Sequence, residues 1–416
     1  MSFKGLRALG SGIVTGAADD DPVAVGTYAN AGAKLGVTLL WVAPLAYPLM
    51  VGVVYLASKL GKVTGHGLFR LLRDRYRWFV LYPLLLVSTV ANVIEAAANL
   101  GVVGAALGLF VQLHPGVLAL SVGGSLLLLQ AFGTYQLIRR LFRWLSLSLL
   151  SYIGAALLAG PDPEKVLLGT FVPKLALERE SLSLLVAVLG TSLSAYVYTW
   201  QTNQEVEDKV ASGKEHPAER RGASEAELRR SRRETALGMF SANLVMYFVM
   251  LATGTALHEA GKTEIHSAAE AAEALRPLAG EGARWLFAAG IIGVGFLAIP
   301  VVIDAATYGV CQSFGWPSGL GRKPQEAPRF YLVMTVVTAL AVSANFLGLN
   351  AMKAVVWAGV AQAVAAPPLL LSMLLMTNDE KLMGEHVNGK LLNSIAGVAL
   401  LVTSAALIAL FVTWAW

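Results

Sequence analysis

The sequence predicts an all-α polytopic membrane protein built from two inverted five-helix repeats plus an eleventh transmembrane helix. Three observations carry this. Uncharged apolar runs recur along all 416 residues, of which 56% are hydrophobic and 14% charged, and the mean hydropathy is +0.61. Runs of that length and frequency belong in a bilayer, not in a soluble enzyme. The first and sixth runs are each interrupted midway, and they hold equivalent places in two successive sets of five. That is the mark of an inverted-repeat transporter whose substrate sits between the breaks near the midplane.

The eleven runs lie near residues 10–32, 36–58, 78–109, 115–134, 143–160, 181–203, 236–257, 284–311, 329–347, 350–376 and 391–414. The first repeat therefore covers 10–160 and the second 181–376, with 391–414 following. Residues 204–234 form the one sizeable polar insertion, a charged cytoplasmic loop in which EAELRRSRR could make a short helix through opposite charges at helical spacing. With the N-terminus cytoplasmic, about 24 of the 32 Lys and Arg fall on that side, including Lys59, Lys62, Arg70, Arg73, Arg139, Arg140 and Arg143. An odd number of spans puts Trp416 outside. This bias explains the net charge of +5 without nucleic acid as a partner. The bilayer is the expected surrounding, in the plasma membrane of a bacterium, and no obligate protein partner or cofactor is indicated. The single Cys311 excludes an internal disulfide framework, and the acid-interrupted first run does not read as a cleaved signal peptide.

The first run, GSGIVTGAADDDPVAVGTYANAG, places Asp19, Asp20 and Asp21 before Pro22 at its middle. A carboxylate at the bilayer centre costs several kcal/mol on insertion scales, and proline breaks a helix by removing a donor and clashing with the turn before it. Irregular backbone at that depth is tolerated only where it lines a cavity. Two half-helices meeting at an acidic break would hold a cation. The sixth run, GTSLSAYVYTWQTNQE, is hydroxyl-rich and poorly helical at Gly190, Thr191, Ser192 and Ser194. Elsewhere, Asn92, Glu95 and Asn99 share one face of the third helix, Asp304 lies in the eighth run and Gln362 in the tenth. Gly12 with Gly16, and Gly104 with Gly108, allow close helix approach. His258 and His266 read as solvated loop residues.

AADDDPVAVGTYANAG followed by LLW resembles the first transmembrane segment of the Nramp divalent-metal transporters, and is closer still to the Nramp-related magnesium transporters, which carry Asp-Asp-Asp-Pro. The resemblance extends to GTSLSAYVYTWQTNQEVE, ANLGVVGAALG and AVAAPPLL, and so covers most of the chain. It implies the LeuT-like fold of the APC superfamily. It also places Asp21 on the family's metal-binding aspartate, Thr191 on the residue giving a backbone carbonyl, and Ser194 on the sixth-segment methionine. Gln362 falls where the family often places an amide facing the site. Asp20 joins the expected metal-binding set, with Asp19 beside it. The family's asparagine ligand falls on Ala24, its histidine on Tyr196 and the intervening proline on Ala195, so those groups are missing here.

The departures point one way. A thioether favours transition metals, and a hydroxyl in its place removes that preference. Mg²⁺ wants octahedral oxygen and keeps several waters, so the room left by Ala24 and Ser194 suits a partly hydrated ion. The expected substrate is Mg²⁺, with Mn²⁺ on the same path. Asn92, Asn99 and Val102 stand at the third-helix positions where ordinary Nramps carry acids. Uptake is therefore expected to be uncoupled from protons, with Glu95 as the acid that could substitute as a relay. Glu95 and Asp304 are read as pathway or network residues, and Trp200 as a packing residue that could gate. For Asp21 the alternative is a carboxylate capping the broken helix; for Thr191 and Ser194 it is back-bonding to the helix. The competing functions are a proton-coupled Mn²⁺/Fe²⁺ importer of ordinary Nramp type and, more remotely, an organic-solute symporter or an intramembrane aspartyl protease. Three adjacent aspartates would repel a carboxylate substrate, and the sequence contexts expected around protease aspartates are absent.

Overall fold

Glycine and proline punctuation sets the helix ends. The computed structural model describes residues 11–133, 145, 150–174, 178–265, 268–347 and 351–415. The first run is two helices, α1 (Ser11–Asp19) and α2 (Pro22–Leu35). Gly36 ends α2 at φ 61°, a conformation that favours glycine, and its backbone lies against Gly254. The turn it makes pushes the second span to α3 (Val42–Thr64), six residues later than its sequence suggested. The amphipathic α4 (Leu68–Arg75) buries Leu68, Phe69, Leu71 and Leu72 and turns its arginines outward. It leads into α5 (Trp78–Gly108), α6 (Pro115–Phe132), α7 (Leu150–Leu158) and the surface helix α8 (Pro163–Phe171).

The sixth run is likewise two helices, α9 (Arg179–Thr191) and α10 (Ala195–Ala211). Then come α11 (Pro217–Arg220) and α12 (Glu225–Thr253), which continues as a π-turn over Gly254–His258. After these lie α13 (Ala268–Ser313), kinked at Gly280, then α14 (Pro328–Phe346), α15 (Ala351–Thr377), α16 (Glu380–Met383) and α17 (Lys390–Ala415). Among the described residues nine helices are long and apolar enough to cross a membrane. α5 packs most extensively on α13 and α15, and α12 on α1, α3 and α2, so both interrupted spans sit between those groups.

Several expectations change at this level. The charged stretch 204–234 is mostly helix. Residues 204–211 finish α10, and α12 starts at Glu225 with Ser224 capping Glu227 N–H in a capping box; only 212–224 connect them. Lys59 and Lys62 are not loop lysines. They lie in α3, where Lys59 Nζ donates to Val387 O and Asn388 Oδ1 at 3.1 Å each, and Lys62 pairs with buried Glu205 at 2.7 Å. Gly12 and Gly16 meet the backbone of α12 at Glu234 and Gly238, as close helix approach requires, and Gly104 meets Pro115; Gly108 faces open space, so no packing role falls to it. His258 is exposed, but its Nδ1 is 3.0 Å from Ala33 O and its ring lies over Gly36. Arg139, Arg140, Arg143, His266 and Trp416 lie outside the described residues.

A buried acid near the end of α10 ties it to its neighbours. Glu207 Oε1 accepts from Tyr308 OH at 2.6 Å and from Leu320 N at 3.2 Å, and Oε2 from Gly321 N at 3.4 Å. It holds the loop after α13 against α10.

Candidate metal site at the two helix breaks

Pro22 opens α2 at a position whose missing N–H would be unpaired in any helix, so the break costs little there. Asp21 is the N-cap: one carboxylate oxygen accepts from Ala24 N at 2.8 Å. Its other oxygen accepts from Asn99 Nδ2 at 3.0 Å and lies 3.4 Å from Tyr196 OH. Asn99 closes the pattern by accepting from Val23 N at 3.1 Å, which satisfies a second donor of the new helix. Asp21 therefore both caps α2 and faces Asn99 and Tyr196 across the break; the two roles coexist. Tyr196 OH donates to Ala18 O at 2.8 Å, taking one of the carbonyls freed at the end of α1.

The second break needs no proline. α9 ends at Thr191, and α10 starts at Ala195 with Ser194 as N-cap. Thr191 Oγ1 turns back to Ala187 O and Val188 O, and Ser192 Oγ to Val188 O. Ser194 Oγ donates to Thr191 O at 2.8 Å, and Tyr198 OH to Leu193 O at 2.6 Å. The hydroxyls expected as ligands thus donate to backbone, which leaves their oxygen lone pairs for an ion. The carbonyls of Thr191 and Leu193 each keep a lone pair, since a carbonyl oxygen has two. Tyr28 on α2 joins the breaks at 3.2 Å from Ser192 Oγ, and Met246 Sδ on α12 is 3.5 Å from the same hydroxyl.

All three aspartates are buried. Asp20 is 1% exposed, and neither of its carboxylate oxygens has a hydrogen-bond partner among the described residues. Tyr28, Tyr196 and, on α7, Tyr152 are buried within electrostatic range of Asp20, and Tyr28, Tyr196 and Tyr198 within that of Asp19. The Glu95 carboxyl, also buried, is within hydrogen-bond reach of Asp21. One turn away on the same face of α5, Asn92 Oδ1 accepts from Gln362 Nε2 at 3.1 Å, leaving Asn92 Nδ2 and Gln362 Oε1 without a partner among the described residues. Ala24 is buried beside Asp21, and Trp200 is buried one turn after Tyr196, its indole N–H without a partner among the described residues. Among the described residues no group of three or more His, Cys, Asp or Glu side chains closes on a single point.

Asp304 does not join this cluster. Both of its oxygens accept from Gln130 Nε2 at 2.8 Å, an α6–α13 contact that satisfies the buried acid locally. Tyr28, Tyr152 and Gln130 escaped the sequence reading, although Tyr28 stands seven residues after Asp21, two helical turns along the same face.

The family profile described as natural resistance-associated macrophage protein-like (Nramp) matches residues 12–413. The chain is 28% identical over 395 residues to the divalent metal cation transporter MntH of Yersinia pestis, covering 92% of this chain and 90% of that relative. It is 24% identical over 401 residues to MntH of Granulibacter bethesdensis, covering 95% and 86%. A crystal structure of the Eremococcus coleocola manganese transporter superimposes with a TM-score of 0.73 at 15% identity, covering 96% of this chain and 85% of that one. Mhp1, a nucleobase-cation-symport-1 family transporter, gives 0.60 at 11% identity, covering 97% and 91%. The fold is the LeuT-like one that the resemblance implied. By the match along almost its whole length, the chain belongs to the Nramp family of membrane transporters and is not an enzyme.

Proposed function

We propose that the protein carries divalent metal cations across a bacterial plasma membrane through the cluster at the two breaks, with Mg²⁺ as preferred substrate and Mn²⁺ sharing the path. The relatives named divalent metal cation transporter support the substrate class. The observation that carries the reading is Asp20, a buried carboxylate whose two oxygens have no hydrogen-bond partner among the described residues. A buried unpaired charge is expensive, and a cation between Asp20, Asp21 and the carbonyls of Thr191 and Leu193 would offset it. The donors at both breaks are oxygens, which suit a hard ion. Ala24 and Ser194 leave room for retained water, with Gln362 Oε1 as a further acceptor. Ser194 then acts by its small size more than as a direct ligand.

Uncoupled flux is the first reading, because Asn92, Asn99 and Tyr196 replace titrating groups. The contact between Glu95 and Asp21 favours a second: two carboxyl groups at hydrogen-bond reach share a proton, which an arriving cation would displace. One experiment tests both. Mg²⁺ and Mn²⁺ fluxes into proteoliposomes are recorded together with lumenal pH. Entry of both metals at constant pH is expected. Mn²⁺ entry without Mg²⁺ would overturn the hard-ion assignment, and acidification tracking metal entry would select the coupled reading.

A further inference from the structure

The arginines of α4 are accounted for: Arg70 and Arg73 pair with Asp74, Arg73 Nη1 also donates to Gln312 O, and Arg75 pairs with Asp379. Arg77 and Arg329 are different. Both are exposed, and among the described residues neither has a carboxylate partner. Each lies over an aromatic ring instead, Arg77 5.5 Å from the Phe79 centroid and Arg329 5.0 Å from that of Trp316. A guanidinium over a ring keeps its outward N–H groups free for an oxyanion.

Further ring contacts run from α5 to the ring beneath Arg329. Tyr82 on α5 meets Phe314 beyond the end of α13 at 5.8 Å, and Phe314 stacks on Trp316 at 5.1 Å. Trp78, Phe79, Tyr82 and Phe314 are all exposed. From each arginine an apolar lane then runs along a helix: Phe79, Tyr82, Leu86 and Val90 on α5, and Leu332, Val336 and Leu340 following Arg329 on α14. Both lanes keep the i, i+3, i+7, i+11 spacing of one helical face, and every member is exposed. A cationic end with two free guanidiniums, a belt of amphipathic rings and a paired apolar lane match the three parts of a phospholipid: charged headgroup, interfacial glycerol region and acyl chains.

We propose that the face formed by the start of α5, the end of α13 and the start of α14 binds anionic phospholipid, with phosphates at Arg77 and Arg329 and acyl chains along the two lanes. The full-length protein in detergent is offered equimolar phosphatidylglycerol and phosphatidylcholine, and retained lipid is counted by native mass spectrometry. The protein should retain phosphatidylglycerol in preference. R77Q/R329Q should lower the phosphatidylglycerol-to-phosphatidylcholine ratio roughly 25-fold, about fivefold per guanidinium. R70Q/R75Q, which removes arginines already paired, should leave it unchanged. The single variants R77Q and R329Q serve if the double variant does not elute as folded protein. An unchanged ratio in folded R77Q/R329Q or in both singles, or an equal loss in R70Q/R75Q, overturns the proposal.

Discussion

Asp21 meets Asn99, Ala24 N–H and Tyr196 at once, so its removal should be felt by both the break and the ion. Asp21→Asn keeps the cap but loses the charge; it is expected to lower Mg²⁺ uptake into proteoliposomes by roughly two orders of magnitude while the protein still elutes as a folded monodisperse species. Asn99→Ala removes only a group that positions Asp21, and outer partners of this kind typically cost about 10–100-fold in metal affinity. Asp304→Asn should leave the metal concentration for half-maximal uptake unchanged, because that acid serves Gln130 and not the breaks. Ser194→Met restores a soft ligand and should raise the Mn²⁺-to-Mg²⁺ flux ratio. Met246→Leu should not, its sulfur being an acceptor for Ser192. That the acids gather at a helix break was legible, because three aspartates before a proline have no cheap place in a membrane. The direction in which the hydroxyls point was not. Whether Thr191 and Ser194 aim at a cavity or at the preceding turn depends on rotamers, and here they turn to backbone carbonyls.

At the scale of single helices, spacing located the spans and missed their ends. Sequence hydropathy marks where apolar residues lie, whereas a helix continues through charged residues as long as its backbone is bonded. Glu225–Glu234 and 204–211 are therefore helical although polar. The small-residue pairs separate packing from coincidence. A Cβ on Gly16 would lie 2.1 Å from Gly238 O, whereas one on Gly108 meets nothing within 4 Å. Gly16→Ala is expected to lower the thermal midpoint of the purified protein, through overpacking that typically costs about 1–3 kcal/mol; Gly108→Ala should leave it unchanged or raise it, since alanine is the better helix former. The midpoints compared by tryptophan fluorescence check both.

For the molecule as a whole, the family match and the fold fix a transporter, and the expected energy source follows from charge. A divalent ion moving down a 100 mV potential gains roughly 4–5 kcal/mol, enough to drive uptake without a co-substrate. Imposing an inside-negative potassium diffusion potential on the proteoliposomes should therefore accelerate Mg²⁺ entry, and reversing its sign should suppress it. The repeat architecture was readable because its two irregular spans recur five segments apart; the contacts that limit their motion were not, since they join residues more than a hundred positions distant. Glu207 is one of these. Its three hydrogen bonds leash the far end of α10 to Tyr308 and to Leu320 and Gly321. Any tilt of that half-helix must either haul the 315–321 loop along as a passenger or snap the leash and set a buried carboxylate loose.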